Sequence, residues 1–234
     1  LISWAKGVRP KKINEQVSKE IVDFIVEMNL AYSKGVGSLE LEYACEACTS
    51  IHQTINIFKN KKEVADKVMR EAERYCESTS IKWYKKFDKL EISEIEKISK
   101  NKDKSHWQES VVTKNISPSD IGIHNMLRTY NHEMKFIDFE YSGKDDLSKA
   151  MADIETQPNH LLTYRQASVI KENIIKKLSE GGVSCESWIE RYEDIRIITK
   201  LKWCVIIIKS KLKTGETGIL DRAKKYFEEY IGIE

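Results

Sequence analysis

Residues 117–125 read SPSDIGIHN, and residues 137–141 read IDFEY. The first stretch carries Asp120 and Asn125, which are five positions apart in what is predicted to be a loop. The second stretch places Asp138 at the end of an apolar strand, thirteen positions after Asn125. Because an Asn-His-Glu turn lies between two apolar segments here, a hairpin is predicted that returns Asp138 to the side of Asn125.

Two carboxylates and an amide in this order suit a site for divalent metal and a phosphoryl group. Mg²⁺ takes oxygen ligands and bridges phosphate oxygens. In protein kinases a loop Asp accepts the proton of the acceptor hydroxyl, an Asn five residues later binds metal, and an Asp before Phe-Gly binds metal. Asp120, Asn125 and Asp138 fit these three roles in sequence order. Each residue alone is equally well explained as a turn or strand-end residue, so the hypothesis depends on all three together.

The segments SPSDIGIHNML and FIDFEYSGKDDLSKAMAD resemble the catalytic and metal-binding segments of the aminoglycoside phosphotransferase and choline kinase superfamily. Its members have a protein-kinase-like fold. The match by motif is confined to the hairpin region, although the order of elements is similar over about residues 1–230. The resemblance implies an ATP- and Mg²⁺-dependent phosphotransferase that acts on a hydroxyl of a small molecule, such as a sugar, an aminoglycoside-like compound or an amino alcohol.

The same resemblance implies further site residues. Ser3 and Trp4, in the segment LISWAKG, correspond to the hinge and would contact the adenine of the nucleotide. Leu127 and Ile137 would line the floor of the nucleotide pocket. Asp153 would brace the catalytic loop.

Two features depart from the family pattern. Pro118 stands where the family usually has a His two residues before the catalytic Asp, so the catalytic loop must be braced from elsewhere. No Gly-rich phosphate loop and no strand Lys precede the hinge. We therefore expect an N-terminal lobe to be missing, with residues 1–7 as a hinge remnant and residues 8–234 as a helical C-terminal lobe. Whether such a chain is active by itself stays open.

Two other functions are compatible with these residues. A non-catalytic kinase-like binding or scaffold protein is suggested by Pro118 and by the expected lack of an upper lobe. A protein kinase is less favoured, because Glu140 stands where protein kinases have Gly after the metal-binding Asp-Phe pair. A strand Lys with a helical Glu partner upstream would favour the enzyme over the scaffold.

The remainder of the chain is predicted to be mostly helical, which makes the fold α+β with a small central β-hairpin insert. A short strand is predicted over residues 111–116, and hairpin strands over 125–130 and 134–140. Apolar periodicity predicts helices over residues 13–35, 38–58, 61–87, 164–178, 185–211 and 217–230, with another that begins near residue 147.

Composition excludes some classes of partner. The 234 residues carry 39 basic and 37 acidic side chains, so a net charge of +2 gives no field that favours nucleic acid. The longest strongly apolar run, residues 201–208, is much shorter than the roughly 20 residues of a membrane span. We expect a cytoplasmic protein with no nucleic-acid or membrane partner, whose ligands are a nucleotide and a small acceptor.

The five cysteines include one cluster with metal-ligand residue types. Cys45, Cys48 and His52 would share a face of the helix predicted over residues 38–58. No second Cys/His pair follows at zinc-finger spacing, so buried thiols are the better interpretation.

Overall fold

The computed structural model describes residues 6–35, 41–74, 78–100, 107, 115–159, 162–214 and 218–231. Within these residues the chain is mostly helical, with seven α-helices and two small antiparallel sheets. The prediction of a mostly helical α+β fold with a small β component is therefore confirmed at that level.

The helices are α1 (Glu15–Ser33), α2 (Ile51–Arg74), α3 (Ser78–Ser99), α4 (Leu147–Thr156), α5 (Tyr164–Glu180), α6 (Glu186–Thr214) and α7 (Ile219–Tyr226). The strands are β1 (Gly7–Val8), β2 (Ile116–Ser117), β3 (Met126–Thr129), β4 (Met134–Phe136) and β5 (Gly143–Lys144). A 3-10 turn covers Ile123–Asn125, and a π-helical turn covers Phe227–Ile231.

The chain divides into two compact units. The first consists of Leu1–Thr49 and Val111–Tyr192, and the second of Ser50–Ser110 and Glu193–Glu234. Both sheets belong to the first unit, as do Asp120, Asn125 and Asp138. The second unit contains α2, α3 and α7, with an aromatic cluster in which Trp83 and Phe87 pack near Phe227.

Helix α1 forms as its sequence predicts. The side chain of Asn14 accepts a hydrogen bond from the backbone N–H of Val17 at 2.9 Å, which satisfies one of the free donors at the helix start. Its apolar face is buried against α5, which runs parallel to it. Gln166 of α5 donates to the carbonyl of Ile13 at one end, and Lys177 pairs with Asp23 further along.

The predicted hairpin is confirmed, but its second strand ends at Phe136 and not at residue 140, so Asp138 lies beyond the strand. Strands β3 and β4 pair antiparallel, with Met126 opposite Phe136 and Arg128 opposite Met134. Strand β1 adds to the other edge of β3, where Gly7 lies opposite Thr129. A side chain at Gly7 would place its Cβ 2.6 Å from the carbonyl oxygen of Arg128, so the close pairing requires glycine here.

The helices predicted over 38–58 and 61–87 are wrong in their boundaries. Helix α2 runs without a break from Ile51 to Arg74, and α3 begins only at Ser78. Residues 59 and 60, which fall in the predicted gap between these two helices, are exposed, but the apolar face continues past them from Phe58 to Ala65. Residues 42–44 are extended because Lys144 exchanges backbone hydrogen bonds with Glu42 and Ala44.

The first unit also contains a second sheet, which has two strands. Ile116 and Ser117 form β2 and pair antiparallel with β5. They include the last residue of the strand predicted over 111–116, and residues 111–114 lie outside the described part. Among the described residues, no helix combines the length and the apolar character needed to cross a bilayer.

Candidate active site

The base of the β3–β4 hairpin brings two of the predicted metal ligands to the same place. Asn125 ends the 3-10 turn that leads into β3, and its carbonyl oxygen accepts a hydrogen bond of 3.0 Å from the backbone N–H of Ile137. Asp138 is the next residue along the chain. The hairpin therefore returns Asp138 to Asn125, as the spacing of the two residues predicts.

Asp120, Asn125 and Asp138 line one small cavity. Its volume is about 10 Å³, which is close to the space that one water molecule needs. Its apolar lining includes Phe24, Phe136 and Phe139, along with Pro118, Ile121 and Ile137. The cavity is far smaller than a pocket for an organic ligand and its accessible lining is apolar, so it does not itself hold a nucleotide.

The backbone is strained on both sides of this cavity. Asp138 has φ of 68° and Ser119, the residue before Asp120, has φ of 63°. Residues with a Cβ rarely adopt this left-handed region, and such outliers concentrate at functional sites. The packing of the hairpin holds Asp138 in this conformation, although its side chain is exposed.

Two contacts with α1 hold the hairpin rigidly. The rings of Phe24 and Phe136 stack at 4.1 Å between centroids and 11° between planes. The guanidinium of Arg128 makes two hydrogen bonds of 2.6 Å to the two carboxylate oxygens of Glu20. Burial by itself would raise the pKa of Glu20, but the hydrogen bonds from Arg128 and Gln16 lower it below its ordinary value. Glu20 is therefore ionised and paired at neutral pH.

Asn125 is oriented by the loop that carries Asp120. It is 6% exposed, and its Nδ2 donates to the carbonyl oxygen of Asp120 at 3.1 Å. The donor end of the amide is thus used within the loop, and its Oδ1 accepts no hydrogen bond from the residues that the structure describes. Among the residues that the structure describes, none forms a hydrogen bond or an ion pair with the carboxylate of Asp138.

These side chains supply only oxygen donors, which are the donors that Mg²⁺ prefers. No group of three His, Cys, Asp or Glu side chains able to hold a metal occurs in the described part of the chain. Mg²⁺ does not need such a group, because it keeps several waters and binds through one or two carboxylates plus substrate phosphates. The residues present therefore fit a Mg²⁺ ion that is shared with a phosphorylated ligand.

No protein-family model matches the chain, and no curated protein matches it. Function therefore has to be inferred from the side chains and their geometry.

The carboxylate of Asp120 is held by side chains that sequence reasoning missed. Gln157 Nε2 donates to its Oδ1 at 3.0 Å, and His124 Nε2 lies 3.2 Å from its Oδ2. Asn159 Nδ2 in turn lies 3.3 Å from His124 Nδ1. Loop support thus comes from the segment after α4. Only the Gln-Pro pair at 157–158, which predicted the end of a helix, marked this segment in the sequence.

Asp153, predicted to brace the catalytic loop, lies on α4 within a buried charge network. Its Oδ2 accepts a hydrogen bond of 2.7 Å from Lys149, which also pairs with Asp145 at 3.2 Å. Burial alone would lower the pKa of Lys149, but the two carboxylates raise it above its ordinary value. Asp145 also accepts hydrogen bonds from the backbone N–H groups of Cys48 and Asp146.

The structure describes two of the four residues that were predicted to contact the nucleotide. Leu127 is half-buried on β3 opposite Lys135, and Ile137 lines the cavity described above. Ser3 and Trp4 lie outside the described residues. Their nucleotide-binding role stays a prediction.

The prediction that Cys45, Cys48 and His52 share one helix face is wrong, because α2 begins only at Ile51. Cys48 is buried, as expected of a core thiol, whereas Cys45 is exposed. The backbone N–H of Cys48 donates a hydrogen bond to the carboxylate of Asp145. Packing explains why the thiol of Cys48 is buried.

Proposed function

We propose that this chain carries the catalytic and metal-binding side chains of an ATP- and Mg²⁺-dependent phosphotransferase that acts on a hydroxyl of a small molecule. The observation that carries the proposal is the common cavity of Asp120, Asn125 and Asp138, at the base of a rigid hairpin. The fold proposed is the C-terminal lobe of the aminoglycoside phosphotransferase and choline kinase-like group, which is protein-kinase-like.

Each of the three residues has a distinct role in the proposal. Asp120 orients the acceptor hydroxyl and accepts its proton. Asn125 and Asp138 hold Mg²⁺, which when bound neutralises the charge on the phosphates of ATP. Leu127 and Ile137 contact the nucleotide. Asp153 acts indirectly, through the buried network that anchors α4.

The local geometry supports these roles. Asn125 directly precedes β3 and Asp138 follows β4 by two residues, and the backbone hydrogen bond from the N–H of Ile137 to the carbonyl oxygen of Asn125 ties the two segments together. Pre-set geometry of this kind is what phosphoryl transfer requires, because most of the catalysis is positioning and electrostatic stabilisation.

The test compares two carboxylate-to-amide variants. Asp138→Asn keeps size and tolerates positive φ, but it removes the anionic metal ligand. Glu133→Gln, at the exposed hairpin tip, makes the same chemical change away from the cavity. ATP consumption is measured with Mg²⁺ and a panel of sugars, aminoglycosides and amino alcohols. We expect Asp138→Asn to abolish turnover and Glu133→Gln to leave it unchanged.

Metal binding is measured separately, by the broadening that Mn²⁺ with ATP produces in the backbone amide signals near the cavity. We expect broadening at residues 120–125 and 137–139 that is lost in Asp138→Asn. Turnover that survives Asp138→Asn would contradict the assignment of Asp138. Nucleotide binding without turnover of any acceptor would instead favour a kinase-like binding or scaffold protein, the alternative suggested by Pro118.

A further inference from the structure

The carboxylate of Asp120 is contacted by a buried amide. Gln157 is 2% exposed, and its Nε2 lies 3.0 Å from Asp120 Oδ1. An ionised carboxylate only accepts hydrogen bonds, so the donor end of the amide has to face it. The contact therefore sets the orientation of both groups.

The other end of the same amide makes this contact unusual. Gln157 Oε1 is buried and meets no hydrogen-bond donor among the residues that the structure describes. A buried acceptor without a partner costs free energy, and an apolar side chain of similar size would avoid that cost. Packing alone therefore does not account for a glutamine at this position. The contact with Asp120 does.

The backbone around Gln157 is constrained by the sequence. Gln157 is the first residue after α4 and has φ of −59° and ψ of 119°. Pro158 follows it, and a residue before proline is driven from the helical to the extended region. Pro158 thus ends α4 and limits the positions that the Gln157 side chain can reach.

Helix α4, which precedes Gln157, is anchored by buried charges. All 10 of its residues are buried. Asp146 caps its start through a 2.8 Å hydrogen bond from the N–H of Ser148, and it also forms an ion pair with Arg191 at 2.5 Å. Lys149 pairs with Asp145, two residues before the helix, and with Asp153 within it. The hydroxyl of Tyr192 donates to Glu155 near the other end.

We propose that Gln157 is the positioning residue that holds the Asp120 carboxylate in one orientation, with α4 as its rigid support. Asn159 and His124 complete the support on the opposite carboxylate oxygen. This inference rests on the proposed function for its catalytic meaning. The contact itself can be tested without that function.

The test uses Gln157→Leu, which keeps the volume and removes the donor. Gln16→Leu is the matched control, because Gln16 also donates its amide to a carboxylate, Glu20 at 2.9 Å, on the exposed face of α1. Amide hydrogen exchange is followed by mass spectrometry in peptides that cover residues 119–125. We expect exchange there to rise at least about tenfold in Gln157→Leu only, because the loop loses its buried tether.

The kinetic measurement separates positioning from general stability. We expect Gln157→Leu to lower kcat by about 10- to 100-fold with an unchanged KM for Mg·ATP, since misplacing a catalytic group slows chemistry without weakening nucleotide binding. If Gln157→Leu does not fold, Gln157→Glu replaces it. That variant keeps the size and polarity but presents an acceptor to Asp120, and the same local effects are expected.

The outcomes distinguish the two proposals. If Asp138→Asn abolishes turnover while Gln157→Leu keeps the wild-type kcat, the role of Gln157 is overturned and the proposed function stands. If the wild-type chain turns over no acceptor, the proposed function fails and the exchange measurement alone decides about Gln157. Unchanged exchange at 119–125, or exchange raised evenly along the chain, overturns the positioning role.

Discussion

Asn29 on α1 makes two hydrogen bonds with the backbone of Ile116 on β2, from Nδ2 to the carbonyl oxygen at 3.1 Å and from the N–H of Ile116 to Oδ1 at 3.0 Å. Asn29 is 1% exposed. Its side chain thus satisfies a donor and an acceptor at the edge of the two-stranded sheet. That sheet leads directly into the loop of Asp120.

We expect Asn29→Leu to lower the free energy of unfolding by about 2–4 kcal/mol, because it leaves both polar backbone groups of Ile116 buried without partners. The control is Asn173→Leu on the exposed face of α5, where the amide bonds only to its own helix. Denaturant titration followed by circular dichroism measures both. An equal effect of the two substitutions would show that the contact with Ile116 is unimportant.

Asp138 and His132 provide a paired test of backbone strain. Both have positive φ in or beside the hairpin, at 68° and 63°. Glycine adopts this region without a steric penalty. The strain relieved is of order 1–3 kcal/mol and outweighs the unfolded-state entropy that glycine adds, so we expect Asp138→Gly and His132→Gly each to raise the free energy of unfolding by about 0.5–1 kcal/mol.

Turnover should separate the two glycine variants. Asp138→Gly removes a proposed metal ligand and should abolish ATP consumption, whereas His132→Gly lies in the distal turn and should retain it. Stabilisation together with lost activity is the pattern of a strained functional residue. A destabilised Asp138→Gly protein would mean that its left-handed backbone is not strained.

The ion pair between Glu20 and Arg128 predicts an acid-dependent contribution to stability. The folded pKa of Glu20 is lowered, so its contribution is fully present above the unfolded pKa of about 4.3 and is lost as pH falls through the folded pKa. We expect Glu20→Gln to be less stable than wild type at pH 7 by no more than about 1 kcal/mol. The difference should shrink as the pH is lowered below about 4.

Glu27→Gln is the control for this measurement, because Glu27 is an exposed carboxylate on the same helix. Its substitution should change the free energy of unfolding at pH 7 by less than about 0.5 kcal/mol. If the stability difference between Glu20→Gln and wild type is the same at every pH, the ion pair with Arg128 does not depend on the protonation of Glu20.

Lys149 is expected to be essential for the stability of α4. Lys149→Met keeps the side-chain length but leaves Asp145 and Asp153 buried without their cation, so we expect a loss of about 3–5 kcal/mol. Lys176→Met on the exposed face of α5 should change stability by less than about 0.5 kcal/mol. Thermal unfolding measures both variants. A small effect at Lys149 would mean that water or other groups compensate for the lost charge.

The elements whose contacts lie close together in the sequence were predictable. Helix α1 follows from the Asn14 cap and its apolar periodicity, because a helix terminus and an amphipathic face are set by residues within a few positions of one another. The hairpin follows from two apolar segments around a turn for the same reason. The return of Asp138 to Asn125 is a consequence of that hairpin, although the chemical roles of these residues stay a prediction.

Helix boundaries between residues 38 and 87 were not predictable in this way. Residues 59 and 60 fall in the predicted gap between two helices, yet the apolar face of α2 is buried on both sides of them and the helix is unbroken. Residues 42–44 were predicted to be helical. They are extended because their backbone groups pair with Lys144, about 100 positions later in the chain.

The amino-acid sequence by itself determined the elements whose contacts are short in range, which are the capped helix α1 and the hairpin with its carboxylate and amide. The tertiary structure alone decided which side chains support them. Gln157 meets Asp120 across 37 positions, and Asn29 meets Ile116 across 87. A single polar residue of this kind gives no periodic pattern in the sequence. Its partner depends on which helices pack together and on which buried polar groups need a hydrogen bond.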